Sequence, residues 1–162
     1  MPAPTTTTVR RTVDVDASAD AVWQLVSDLP RMGRLSPENA GGHWRRGATG
    51  PAPGARFRGT NRQGWRRWST AVVVTECVPG RRFAFQVSSL GLKVSRWTYD
   101  VVDRPGGCLV TETWEDRRGR VIDVLGRLVS GVDDRAAFTA RSIERTLAAV
   151  KVTAETAARA AR

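Results

Sequence analysis

The last thirty positions of the chain carry apolar residues at a helical period. Between Asp133 and Arg162 they recur at steps of three to five, and the charged side chains fall mostly away from that stripe. Frequent alanine favours a helix, and Asp133 or Asp134 can cap its first turn. Such a helix is about 40 Å long and needs a large apolar partner. Its stripe consists of Phe138, Ile143, Leu147, Val150, Ala154 and Ala158.

The middle of the chain is patterned for strands. Apolar and polar residues alternate there, and Gly-Pro, Pro-Gly and Gly-Gly pairs separate the runs. We predict strands over 8–16, 43–46, 55–62, 65–78, 82–88, 93–103 and 108–116, with antiparallel pairing across the short turns. Two short helices, over 18–29 and 31–35, follow the first strand, and another helix over 121–132 precedes the long one.

This order predicts an α+β fold: a strand, two short helices, six strands and the terminal helix. A seven-stranded antiparallel sheet twists, so we expect it to curve around the long helix and leave a hollow between the two. The 162 residues suit one domain. We expect residues 1–7 to form a flexible lead-in and residues 8–162 a single domain.

Composition limits the cellular locations and the kinds of site that we expect for this protein. No apolar run reaches the length of a membrane span, and the first residues lack the pattern of a signal peptide. We therefore expect a cytoplasmic protein, either a monomer or a homodimer. With one histidine and two cysteines, we expect neither a metal site nor a cofactor.

The net charge of +10 comes almost entirely from arginine. It is consistent with attraction to nucleic acid or to an acidic membrane. The other interpretation is compositional drift, since only two lysines occur and the arginines are spread along the whole chain. The spread favours drift.

Residues 13–28, Val-x-Val-x-Ala-Ser-Ala-Asp-Ala-Val-Trp-x-Leu-Val-Ser-Asp, resemble the opening of the START-like helix-grip (Bet v 1-like, SRPBCC) superfamily, which includes polyketide cyclase/dehydrase-type proteins. Segments 54–59, 78–85, 106–114 and 131–135 agree with it, so the resemblance covers roughly residues 8–155. It implies a cavity under the C-terminal helix that binds an apolar or aromatic, polyketide- or lipid-like small molecule. Some members of the superfamily are enzymes, so cyclase or dehydratase activity is an open alternative to binding alone.

Period-two alternation places the strand aromatics on the predicted concave face. Rings accompanied by isolated polar atoms suit a pocket for a flat ligand, although the same rings can simply fill a core. The candidate ligand contacts are Trp44, Phe57, Asn61, Trp68, Phe85, Trp97, Tyr99, Glu112, Trp114 and Phe138.

Glu112 and Tyr99 are the candidate catalytic residues. A carboxyl on the apolar side of a sheet is paired, protonated or open to a cavity. Glu112 is therefore either a general acid or base with a raised pKa, or the structural partner of an arginine such as Arg96 or Arg62. Tyr99 can donate a hydrogen bond to a ligand carbonyl, or place its hydroxyl at the rim.

A rival function comes from the hairpin over 58–68. Four arginines there surround Trp65 and Trp68. Basic residues among aromatics can bind single-stranded nucleic acid by stacking. No recognised nucleic-acid motif accompanies them, so a non-enzymatic regulatory or nucleic-acid-interacting role is the less favoured hypothesis.

Overall fold

A computed structural model describes residues 6–162 of the chain. Seven strands form one antiparallel sheet, in the order β1-β7-β6-β5-β4-β3-β2. The predicted α+β fold is confirmed, and β1 and β2 lie at opposite edges because the first helices carry the chain across. The strands are β1 Thr8–Val15, β2 Asn39–Arg45, β3 Arg56–Gln63, β4 Arg66–Val78, β5 Arg82–Ser89, β6 Leu92–Arg104 and β7 Gly107–Asp116.

The helices follow the predicted order. Helix α1 (Ala19–Ser27) and a 3-10 helix (Leu29–Arg34) lie between β1 and β2, while α2 (Arg120–Ser130) and α3 (Arg135–Ala160) end the chain. Side-chain oxygens cap two of them. Ser18 accepts a hydrogen bond from the Ala21 amide (3.2 Å), and Asp134 accepts one from the Ala137 amide (2.9 Å). Of the two aspartates predicted as caps for the last helix, Asp134 is the one used.

Helix α3 lies along the sheet near β1, β7 and α1. Its predicted stripe is buried at Ile143, Leu147, Val150 and Ala154, whereas Phe138 and Ala158 are only partly covered. Hydroxyl-bearing residues are buried as well, where the helix begins: Thr139, Ser142 and Thr146. The buried apolar stripe of α3 therefore begins at Ile143, and the first turns of the helix bury hydroxyl-bearing residues instead.

Strand β2 begins earlier than the predicted 43–46. Gly41 and Gly42 were expected to break the chain, but they lie inside the strand, where the register with β3 shifts between Asn39 and Gly42. Gly42 has φ +153°, and a Cβ there would lie 2.0 Å from the Arg58 carbonyl oxygen. Glycine therefore permits a bulge pressed against the neighbouring strand rather than ending the strand.

The predicted lead-in over 1–7 lies mostly outside the described residues. Within them, the Thr7 carbonyl accepts a hydrogen bond from the Asp116 amide at 2.9 Å. None of the helices in the described residues is long and apolar enough to cross a membrane.

Candidate functional site

Cross-strand register builds an aromatic floor on the concave face of the sheet. Phe85 of β5 is paired with Trp97 of β6, which is paired in turn with Trp114 of β7. In the next row Tyr99 of β6 stands opposite Glu112 of β7. Because residues in register project to the same side, alternation along each strand assembles these groups over one area.

A cavity of about 110 Å³ lies above this floor, bounded by the 3-10 helix and by α3. Leu29 and Met32 close one side, and Ser142 and Thr146 contribute from α3. Eight of the ten candidate residues line it: Phe57, Asn61, Trp68, Phe85, Trp97, Tyr99, Glu112 and Trp114.

The structure does not bring Trp44 and Phe138 to the cavity wall. Trp44 is on the edge strand, outside Phe57, and packs edge-on against that ring with centroids 5.2 Å apart. Phe138 is one position from the inward-facing Thr139, so it projects from the flank of α3, with the Arg135 guanidinium 5.2 Å from its ring centroid. The alternation of residues along a strand predicts which face of the sheet a side chain occupies. It does not predict whether the cavity extends to that side chain.

Glu112 and Tyr99 form a buried pair at the bottom of the cavity. The Tyr99 hydroxyl donates a hydrogen bond to Glu112 Oε1 at 2.8 Å, and both residues are nearly inaccessible to solvent. Glu112 Oε2 has no hydrogen-bond partner among the described residues. Burial raises the pKa of Glu112 to about 8, although the bond from Tyr99 opposes the rise. Burial, followed by the charge of Glu112 and its hydrogen bond, raises the pKa of Tyr99 well above its usual value.

Among the described residues, no arginine forms an ion pair with Glu112. Arg96, one of the two predicted partners, forms ion pairs with Glu76 and Glu115 instead. Arg62, the other, is exposed on β3. The ion-pair alternative for Glu112 is therefore wrong, because alternation sends Arg96 to the opposite face of the sheet from Tyr99 and Glu112. The Tyr99 hydroxyl, predicted to meet a ligand carbonyl, is occupied by Glu112.

Three other polar side chains of the wall form hydrogen bonds within the protein. Asn61 Nδ2 donates to Thr70 Oγ1 (3.3 Å), and Trp97 Nε1 donates to Ser95 Oγ (3.1 Å). The Thr146 hydroxyl donates to the Ser142 carbonyl (2.9 Å). Among the described residues of this wall, Glu112 Oε2 is the carboxyl oxygen without a partner, and it is therefore available to bind a ligand.

Ion-paired side chains form part of the cavity wall. The buried Glu38 accepts hydrogen bonds from Arg135 Nη2 at 2.6 Å (Oε1) and 2.8 Å (Oε2), which ties the segment before β2 to the start of α3. Arg118 bonds Asp116 at 2.6 Å and lies 3.1 Å from Asp123 of α2. Burial alone would raise the pKa of Asp116, but the hydrogen bonds and charge of Arg118 bring it below its usual value.

A second chamber of about 300 Å³ adjoins the first beneath α2. The two share Trp68, Thr70, Val94, Arg118 and Arg135 in their walls. The outer chamber reaches solvent, since its wall includes exposed side chains. Sequence reasoning missed this chamber, although the apolar period over 121–132 had no assigned partner and was its signal. Its apolar lining comes from Leu90, Ile122, Leu125 and Val129.

The hairpin over 58–68 does not present its two tryptophans together. Trp68 faces the cavity, while Trp65 at the tip is 86% exposed, with the Arg66 guanidinium 5.2 Å from its ring centroid. Of the two tryptophans, Trp65 alone is therefore exposed enough to stack against a nucleic-acid base.

Comparison with known families agrees with this geometry. Residues 6–155 match the family described as polyketide cyclase / dehydrase and lipid transport. The chain belongs to this family. Among curated proteins, none matches the chain.

Solved structures share the fold. A polyketide cyclase-like protein from Corynebacterium glutamicum is 27% identical, with a TM-score of 0.63 and coverage of 92% of this chain and 91% of that one. The di-domain aromatase/cyclase StfQ of the steffimycin pathway has a TM-score of 0.74 at 12% identity over 94% of this chain and 52% of that one. BexL, from the BE-7585A pathway, has a TM-score of 0.67 at 20% identity over 93% of this chain and 50% of that one. This chain spans about half of each di-domain protein. The predicted family is confirmed, and membership supports a small-molecule-binding or cyclase role.

Proposed function

We propose that this protein binds a flat, largely apolar molecule that carries a carbonyl group, and that the carbonyl oxygen meets Glu112 Oε2. The supporting observation is a buried carboxyl with one oxygen unpartnered in a cavity otherwise lined by rings and aliphatic groups. A pKa of about 8 makes Glu112 mostly a neutral acid near pH 7, so it can donate to a carbonyl.

The two chambers set the size of the ligand. Typical small-molecule sites measure roughly 300–1,000 Å³. The inner chamber, at about 110 Å³, is below that range, whereas the outer one of about 300 Å³ brings the site into it. We infer that a ring system with its carbonyl occupies the inner chamber, while an apolar remainder lies under α2. An aromatic polyketide has this shape.

The same carboxyl can act in a cyclisation. The carboxylate form takes a proton from the carbon between two carbonyls of a poly-β-ketone, and the resulting enolate attacks a third carbonyl to form a carbon–carbon bond. The carboxyl then returns the proton to the new alkoxide. Near neutral pH a group with a pKa of about 8 is present in both forms. Tyr99 holds the carboxyl in place and, with its raised pKa, keeps its own proton.

A matched pair of probes tests the carbonyl contact: 2-acetylnaphthalene and 2-ethylnaphthalene differ only at the carbon attached to the ring, which is a carbonyl in the first and a methylene in the second. We expect the ketone to bind about tenfold more tightly at about pH 6, because it gains a hydrogen bond from a buried acid. The preference decreases as the pH rises through about 8, since the carboxyl loses the donated proton. Tryptophan quenching measures both affinities.

Two variants separate the possible outcomes. Glu112→Gln keeps an N–H donor, so the ketone preference should persist and lose its pH dependence. Glu115→Gln, on the same strand but the opposite face, should behave as the parent protein. Equal affinity for both probes would refute the carbonyl contact, and failure of both to bind would refute the cavity as a ligand site. Turnover of a poly-β-ketone that disappears in Glu112→Gln while ketone binding persists would establish catalysis.

A further inference from the structure

The exposed apolar side chains of this protein are concentrated at one end. Eight of the eleven large hydrophobic residues exposed in the described part of the chain belong to 65, 90–92 and 121–129. The most exposed are Trp65 (86%), Leu90 (83%) and Leu128 (70%). Apolar surface collected in this way on one area indicates an interaction site.

These residues come from three neighbouring segments, which we call the mouth surface: 62–68, 89–93 and 117–131. Trp68, Leu90 and Leu125 contribute to one wall of the outer chamber. A Cβ on Gly131 would lie 1.6 Å from an Arg66 guanidinium nitrogen, so the end of α2 touches the β3–β4 hairpin. The tips of two hairpins and the helix therefore surround the cavity opening.

Helix α2 is apolar on two sides. Ile122, Leu125 and Val129 face the outer chamber. Val121, Val124 and Leu128, spaced by three and four residues, form a second stripe that faces solvent. An outward apolar stripe on a helix flanked by arginines is the pattern of helices that lie in a membrane interface.

The positive charge of the chain is concentrated on the same surface. The mouth surface contains eight arginines and lysines and one acid, Asp123, and so carries seven of the ten net positive charges. Arg117, Arg118 and Arg127 form ion pairs. The other five cations of the mouth surface form no ion pair among residues 6–162: Arg62, Arg66, Arg67, Lys93 and Arg120. Folding therefore brings together, on one surface, arginines that are far apart in the sequence.

We propose that the mouth surface docks on an anionic lipid bilayer, with Trp65, Leu90 and the Val121–Val124–Leu128 stripe inserted among the headgroups and the free cations paired with lipid phosphates. The proposal does not depend on the identity of the cavity ligand. Docking would place the opening of the outer chamber against the membrane.

Charge and chemistry disfavour the other occupants. A second copy on the same face would set its cations against their like. Single-stranded nucleic acid needs exposed aromatic rings, and this surface offers Trp65 among aliphatic side chains, which gain nothing from stacking. Valine and leucine are instead stabilised by transfer into an apolar phase, and arginine by nearby lipid phosphate.

Co-sedimentation of the full chain with vesicles tests the proposal. We expect binding to vesicles of equal parts phosphatidylglycerol and phosphatidylcholine, little binding to phosphatidylcholine alone, and release at high salt. Leu128→Ser should weaken binding about tenfold, and Arg120→Gln about fivefold. Val102→Ser is the matched control, because Val102 is 56% exposed on β6, outside the mouth surface. Thermal unfolding of each variant checks that it is folded.

Two results would overturn the proposal. The first is no binding to anionic vesicles by the parent protein. In that case, a dimer that Leu128→Ser dissociates would assign the surface to a second copy, and retention on single-stranded DNA that Arg120→Gln weakens and Leu128→Ser does not would assign it to nucleic acid. The second is equal binding by folded Leu128→Ser and Val102→Ser proteins.

Discussion

Glu112 is an ionisable residue whose burial opposes its ionisation. The residue is 2% exposed, and its carboxyl receives one hydrogen bond, from Tyr99, and has no cationic partner among the described residues. A buried charge without a counter-ion is costly, so the fold favours the protonated form. A carboxyl kept in this state is a common device of binding and catalytic sites.

The ionisation of Glu112 predicts how stability depends on pH. Its pKa is raised from 4.5 to about 8 in the folded protein, so the folded state holds a proton that the unfolded state releases. The stabilisation is complete below about pH 4.5 and is lost as the pH rises through about 8. Between about pH 5 and about pH 9 we expect the free energy of unfolding to decrease by a few kcal/mol more in the parent protein than in Glu112→Gln.

Urea unfolding at a series of pH values measures this difference, because the two proteins differ in no ionisable group other than Glu112. Parallel pH curves for the two proteins would contradict a buried, proton-holding Glu112. Glu115→Gln is again the matched control, and its curve should follow that of the parent protein.

At the residue scale, alternation along the strands was sufficient to sort the aromatic side chains by face. It was not sufficient to pair Tyr99 with Glu112, because that contact depends on the register of β6 against β7, which alternation within one strand leaves undetermined. The buried hydroxyls of Thr139, Ser142 and Thr146 were missed for a different reason. In an analysis of hydrophobic periodicity these residues are treated as polar and are therefore predicted to face solvent.

Strand β2 shows how an element can be misread from its glycines. Gly41 and Gly42 resemble a terminator, yet they form a bulge within the strand. Gly42 allows the backbone to approach β3, and a Cβ there would also lie 2.7 Å from the ring of Phe57, which is part of the cavity wall. Composition marks where a chain can turn, but the close approach that requires glycine is visible only in the packed sheet.

A glycine series tests this interpretation of β2. We expect Gly42→Ala to destabilise the protein by about 3 kcal/mol or more, through overpacking and a strained φ together. Gly47→Ala has a positive φ and open space, so about 1 kcal/mol is expected. Gly50→Ala has neither constraint and should be nearly neutral. Equal effects at the three positions, measured by urea unfolding, would show that the packing of Gly42 against β3 is unimportant.

At the scale of the whole molecule, the fold gives the charge a distribution that the linear sequence does not show. The even distribution of arginine favoured compositional drift, but the strand order brings the β3–β4 and β5–β6 hairpins beside α2 and collects most of the net charge there. Which hairpins meet depends on the direction of each strand and on the position of α2. The local sequence pattern predicts neither the strand directions nor the position of α2. A surface of this kind can therefore be recognised only after the fold is known.

The pair Glu38–Arg135 joins parts of the chain that are 97 positions apart, and both side chains line the cavity. Its side chains are 10% and 19% exposed, so water screens the pair little. In a double-mutant cycle with Glu38→Gln and Arg135→Gln we expect a coupling free energy of about 1–3 kcal/mol, because each single change leaves the other group buried without its partner. The Arg11–Glu144 pair also binds α3 but is 44% and 55% exposed, so its coupling should be below about 0.5 kcal/mol. Similar couplings for both pairs, measured by urea unfolding, would mean that Glu38 and Arg135 hold this part of the cavity wall together no more strongly than a surface pair would.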